Sequence, residues 1–155
     1  MSEIERYADY LHKARIPIRL SCRTESGWPF VLSLWYLYRD GMLYCATVED
    51  ARVVKYLENE PRCGYEIAAD LPPYCGVRGQ ARAKIDPDQG PEILEALLYR
   101  YLGGLENPLA ENLLKDVDRE VALVLDPINC FQWDFSQRMT SVVPDMLKLV
   151  EKGCP

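Results

Sequence analysis

The chain predicts a small, mainly β barrel, closed or nearly closed, with helices at its corners. Three patterns carry that expectation. Six or seven short apolar segments are punctuated by Gly, Pro, Asn and Asp. The turns between several of them suit antiparallel neighbours. The longer connections repeat apolar residues at helical spacing. Closing such strands on themselves removes exposed sheet edges.

Ser2–Ala14 reads as an amphipathic helix, with Ile4, Tyr7, Ala8 and Leu11 on one face and Ser2 as its cap. After Pro17, "IPIRLSCRT" alternates apolar and polar residues as a half-buried strand does, and "ESGW" supplies a turn. "PFVLSLWYLY" is a second strand, and "RDG" closes a hairpin into "MLYCAT", making a three-strand meander. Asp50–Asn59 is a short helix whose Val53 or Val54 pairs inward with Leu57, and Pro61 ends it. "RCGYEIAA" and "CGVRGQARAKI" are the fourth and fifth strands, with a bulge or close backbone approach at "GVRG". Glu92–Leu102 is a helix stopped by Gly103-Gly104, and "NPLAENLLKDV" is a further helical segment. "REVALVLDP" and "NCFQWDFS" are strands six and seven, joined by a tight turn at Asp126–Asn129. Residues 140–155 form a short helical tail. The expected organisation is one domain over residues 1–155.

Composition narrows the function classes. A net charge of −6 argues against a general nucleic-acid binder, which needs a basic face. No apolar run is long enough to span a bilayer as a helix, and the first residues are too polar for a signal peptide, so a cytoplasmic protein is expected. The six cysteines form no C-x-x-C pair and His12 is the single histidine, so no metal site is expected and free thiols are the default. A histidine-based hydrolase has neither a G-x-S-x-G elbow nor a second imidazole to draw on.

One stretch points to chemistry. "MLYCATVEDARVVK" runs from a strand into a helix with Arg52 and Lys55 at its start. Helix N-termini attract anions through unpaired N–H groups and the dipole, and Arg grips phosphate with paired hydrogen bonds. Thr47 and Asp50 fit a T-x-x-D capping arrangement that would set the helix start. Either the two cations hold an anion there or they are solvated surface residues.

From Arg15 to about Arg138 the chain resembles the flavin-binding split-barrel superfamily related to pyridoxamine 5′-phosphate oxidase. "PFVLSLWYLYRDGMLYCAT", "DARVVKYLENEPRCGY", "PPYCGVRGQARA" and "FQWDFSQR" carry the likeness, in family order. The resemblance implies a homodimeric split barrel with FMN in a groove at a two-fold interface. It places Ser33, Leu34 and Trp35, then Cys45, Ala46 and Thr47, beside the flavin ring. It also implies Arg52 and Lys55 at the phosphate, with Tyr74 and Trp133 near the cofactor from the partner subunit. No side chain must act as acid or base, so no catalytic residue is named. The implied activity is hydride or electron transfer between a reduced nicotinamide and a small organic acceptor. A deazaflavin-dependent reductase, or a non-catalytic flavin-, haem- or tetrapyrrole-binding protein, is the alternative.

The chain departs from the family in three places. Ala51-Arg52-Val53 stands where relatives often read S-R-K, Phe30 stands where several oxidases carry an arginine, and the oxidase's long carboxy-terminal substrate segment is missing. Pyridoxamine 5′-phosphate oxidase activity itself is therefore not expected. Trp35 and Trp133 each have a packing role as the competing reading. Arg78 and Arg82 share a strand face, where cross-strand pairing to carboxylates such as Glu66 competes with substrate binding.

Overall fold

The computed structural model describes residues 3–140. A 3-10 helix, Glu3–Tyr7, runs into helix α1 (Ala8–Lys13), so the expected amphipathic helix is a mixed stretch that buries Ile4 and Leu11. Seven strands follow: β1 (Ile18–Arg23), β2 (Pro29–Leu34), β3 (Leu37–Arg39), β4 (Met42–Val48), β5 (Arg62–Ala68), β6 (Cys75–Asp86) and β7 (Glu120–Asp134). Helix α2 (Arg52–Asn59) links β4 to β5, while α3 (Gly90–Leu102) and α4 (Pro108–Leu114) link β6 to β7. The expected tail helix lies outside the described residues.

Two strand expectations are corrected, and their errors cancel in the count. "PFVLSLWYLY" is broken at Trp35-Tyr36 into β2 and β3. The break arises because consecutive aromatics anchor in different places. Trp35 stacks on Tyr101 with ring centroids 4.9 Å apart, while Tyr36 is fully buried. The expected meander is lost with it, since β2 pairs with β1 and β3 with β4, but β2 and β3 do not pair. Conversely, the supposed sixth and seventh strands are one, β7. Asp126–Asn129 makes a bulge opposite Gln80/Ala81 instead of a turn. Asn129 occupies the irregularity, accepting from the Gln80 backbone N–H at 2.8 Å and donating to its side chain at 2.9 Å. The twelve-residue β6 offers an unbroken template, so the ladder continues past local turn formers. Gly79 serves this close approach, since a Cβ there would collide with the Asn129 carbonyl and the Tyr65 hydroxyl.

The strands form one antiparallel sheet in the order β2-β1-β5-β6-β7-β4-β3. Its two edges, β2 and β3, are joined by only two residues. Leu34 and Leu37 therefore lie at most about 11 Å apart. At that end the sheet must curl until its edges meet, yet no ladder joins them, which gives a barrel that is split.

The interior holds Leu20, Leu43, Cys45, Ile67, Val77 and Leu123, covered by α2 through Val53, Val54 and Leu57. Burying a side chain such as Leu43 contributes about 1.5–3 kcal/mol. Alternation along β4 sends Tyr44 and Ala46 the other way, against α3 and its Ile93, Leu94 and Leu97. Gly103, at φ +79°, ends α3 as expected. Cys22, Cys45, Cys63 and Cys130 are buried free thiols, but Cys75 is disulfide-bonded, which corrects the free-thiol default there.

Candidate functional site

The ends of β2 and β4 stop beside each other, and α3 and α4 face them across a groove of about 750 Å³. Ser33, Leu34 and Trp35 line it from β2 and the residue after it, and Ala46, Thr47 and Val48 from β4. All of these but Val48, five residues, are ones expected beside a flavin ring, brought together from two strands that do not pair. Leu94 and Leu97 of α3, with Leu109 and Leu113 of α4, make the opposite wall. The stack on Tyr101, with rings 5° from parallel, fixes the plane of Trp35. Cys45 does not line the groove. Its side chain is fully buried in the interior, and burial pushes its thiol well above the ordinary range, so it can meet a ligand only through its backbone.

The groove ends at a charged cluster that sequence reading missed. Asp50, Asp116, Arg119 and Glu120 line it. Arg119 donates from Nε to Glu49 at 3.1 Å and from Nη2 to Asp50 at 2.9 Å. The Glu49 N–H bonds the Arg119 carbonyl at 2.8 Å, tying the two segments together. Burial, and secondarily Asp116, raise the carboxyl of Glu120 above its usual range. The run Asp116 to Glu120 just before a strand was the available signal, but nothing local shows that it meets Asp50.

The expected Thr47–Asp50 capping is corrected as well. Ala51 is the N-cap of α2 with no side-chain hydrogen bond, because Asp50 is held by Arg119 instead. The first turn of α2 is thus left without a side-chain cap, its Val54 N–H meeting the Ala51 carbonyl at 3.0 Å. Arg52 and Lys55 are exposed and form no ion pair among the described residues. They flank that helix start without lining the groove. Val53 is 3% exposed and faces the interior.

Tyr74 and Trp133 lie elsewhere. Trp133 stands opposite Gly76 and packs on Phe135, and the Phe135 N–H donates to the Tyr74 carbonyl at 2.9 Å. The Trp133 indole nitrogen is buried without a partner among the described residues. On the sheet's outer face, register aligns Ser33, Arg19, Glu66, Arg78 and Phe131 in one row, beside a depression of about 620 Å³. Arg78 is thereby a cross-strand neighbour of Glu66. Among the described residues, no group of His, Cys, Asp and Glu is arranged to hold a metal, and no helix is long and apolar enough to cross a membrane.

No family model matches the chain, and no curated protein matches it in sequence. Solved structures do match in shape. An F420 reductase superposes with a TM-score of 0.67 at 19% identity, over 79% of this chain and 94% of its own. A conserved hypothetical protein of Mycobacterium tuberculosis gives 0.70 at 20%, over 100% and 92%. The chain has the split-barrel fold of these structures. Within this fold, HutZ, the haem storage protein of Vibrio cholerae, gives 0.64 at 16% identity, over 84% of this chain and 94% of its own.

Proposed function

We propose that this split barrel binds a flavin-type cofactor, FMN, in the groove and transfers hydride or electrons between a reduced nicotinamide and a small organic acceptor. The observation that carries the reading is the meeting of Ser33–Trp35 with Ala46-Thr47 on one groove, opposite an apolar wall of leucines. The fit of the residues to FMN supports it. The walls are apolar and Trp35 is held flat, which suits a planar ring. The start of α2, without a side-chain cap and with Arg52 and Lys55 lacking ion-pair partners among the described residues, suits a phosphate. A bound flavin supplies the redox chemistry. The residues of this chain bind it and exclude water, with the leucines of α3 and α4 drying one wall. The backbone of β4, including Cys45, orients the ring edge.

Assembly as a homodimer belongs to the same reading. Val31 and Phe131 are 64% and 57% exposed beside the outer depression, an apolar surface that suits a second copy. Tyr74 and Trp133, which do not line their own groove, then have a partner's groove to reach. A deazaflavin cofactor is the second reading, favoured by the likeness to F420 reductase. Haem is less favoured, because among the described residues the groove lining includes no His, Cys, Met or Tyr side chain to ligate iron.

Titration of the protein with FMN, F420 and haemin, followed by absorbance, tests the choice. FMN binding with the flavin's paired blue and near-ultraviolet bands is the expected result. Binding of F420 alone moves the assignment to a deazaflavin reductase, and binding of none of the three overturns it. Sedimentation should show a dimer at micromolar concentration.

A further inference from the structure

The groove is chemically lopsided. Along its length it is walled by Trp35, Leu94, Leu97, Leu109 and Leu113. Leu109 is 48% exposed on α4, a large apolar surface left at the mouth of a cavity. At one end the lining turns acidic, with Asp50, Asp116 and Glu120. Among the described residues that line the groove the single cation is Arg119, and its guanidinium is already divided between Glu49 and Asp50. Asp116 and Glu120 form no ion pair among the described residues. A half-buried carboxylate beside another favours a cation that would join them.

On the flavin reading the phosphate falls to Arg52 and Lys55, which lie outside this lining. The acidic end is therefore left to whatever shares the groove with the ring. We infer that the groove takes a substrate with an apolar, flat body and a cationic end, such as an aromatic amine, its body on the Trp35–leucine walls and its charge at Asp116 and Glu120. The inference rests on the flavin reading of the same groove. Complementary charge selects here against wrong partners as well as for right ones, since an anionic substrate would meet uncompensated carboxylates.

Calorimetric titration with 1-naphthylmethylammonium and 1-naphthylacetate, matched in ring and opposite in charge, tests this with and without saturating FMN. The ammonium should bind about tenfold more tightly than the carboxylate, the combined effect of two partly exposed carboxylates. Asp116→Asn with Glu120→Gln should bring the two within about threefold while the protein keeps a cooperative thermal transition. Equal affinities in the wild type, a preference for the carboxylate, or no binding of either overturns the inference. So does FMN that displaces the ammonium outright, because ring and substrate would then compete for one space. Failure of the flavin reading looks different: FMN does not bind in its own titration, yet the charge preference persists.

Discussion

At the carboxy-terminal end of α1 side chains engage the carbonyls of Leu11, His12 and Ala14. Arg100 donates to Leu11, His12 and Ala14 at 2.6–2.8 Å, and the Tyr36 hydroxyl lies 2.9 and 3.0 Å from Leu11 and Ala14. Tyr101 continues the clamp, its hydroxyl donating to Ile16 at 3.1 Å while its ring holds Trp35. The amino-terminal end of α2 is treated in the opposite way. It has no side-chain cap, only the Val54 N–H of its first turn meets a carbonyl (Ala51, at 3.0 Å), and Arg52 and Lys55 stand without ion-pair partners among the described residues. Both ends carry unsatisfied backbone groups by construction. The molecule completes one and leaves the other available, which separates scaffold from candidate site.

Substitutions can break that contrast, and the largest effect belongs to the scaffold. Tyr36→Ala removes a fully buried ring and the hydroxyl at the clamp, and should cost about 3–5 kcal/mol in denaturant unfolding. A small loss would mean that the clamp is incidental. Val53→Lys probes the other side of α2. Because Val53 is 3% exposed, the lysine would bury charge or lift the helix, lowering stability by roughly 2–4 kcal/mol without tightening FMN. A lysine at this position is thus expected to fail for a packing reason, and a tighter complex with an unchanged melt would contradict the orientation of the helix.

At the open end the order reverses. Arg52→Ala should leave the melt unchanged and weaken FMN binding by about 1.5–3 kcal/mol, the worth of a charged hydrogen bond. Unchanged binding would reduce Arg52 to a solvated surface residue. The smallest effect is on pH. Glu120 holds its proton more tightly when folded than its ordinary value of 4.5 allows. Stability from this group is therefore complete below that value and is lost as pH rises through the higher folded value. Glu120→Gln should flatten that decline in melts taken across the mildly acidic range, and identical profiles would show that the carboxyl is not perturbed.

Much of this was legible in the chain. Alternation in "IPIRLSCRT" and "RCGYEIAA", the helical spacing from Ile93 to Tyr101, and the Gly103 stop report local propensities and the period of burial, and each element formed where its pattern lay. The family likeness likewise named Ser33–Trp35 and Ala46-Thr47, which the fold brings together. Other features were settled by contacts distant in sequence. Trp35-Tyr36 reads as strand, yet Tyr101 and the α1 carbonyls pull the two rings apart and break it. Asp126–Asn129 reads as a turn, yet β6 holds it in the ladder. Thr47 and Asp50 read as a cap, yet Arg119, about seventy residues on, takes the carboxylate. Pattern and propensity act within a few residues, so the sequence by itself determined the elements and the residues with which the groove is built. Which of two competing local conformations prevails, and which charges meet at the groove's end, depended on partners that only the closed sheet delivers, and the tertiary structure decided those.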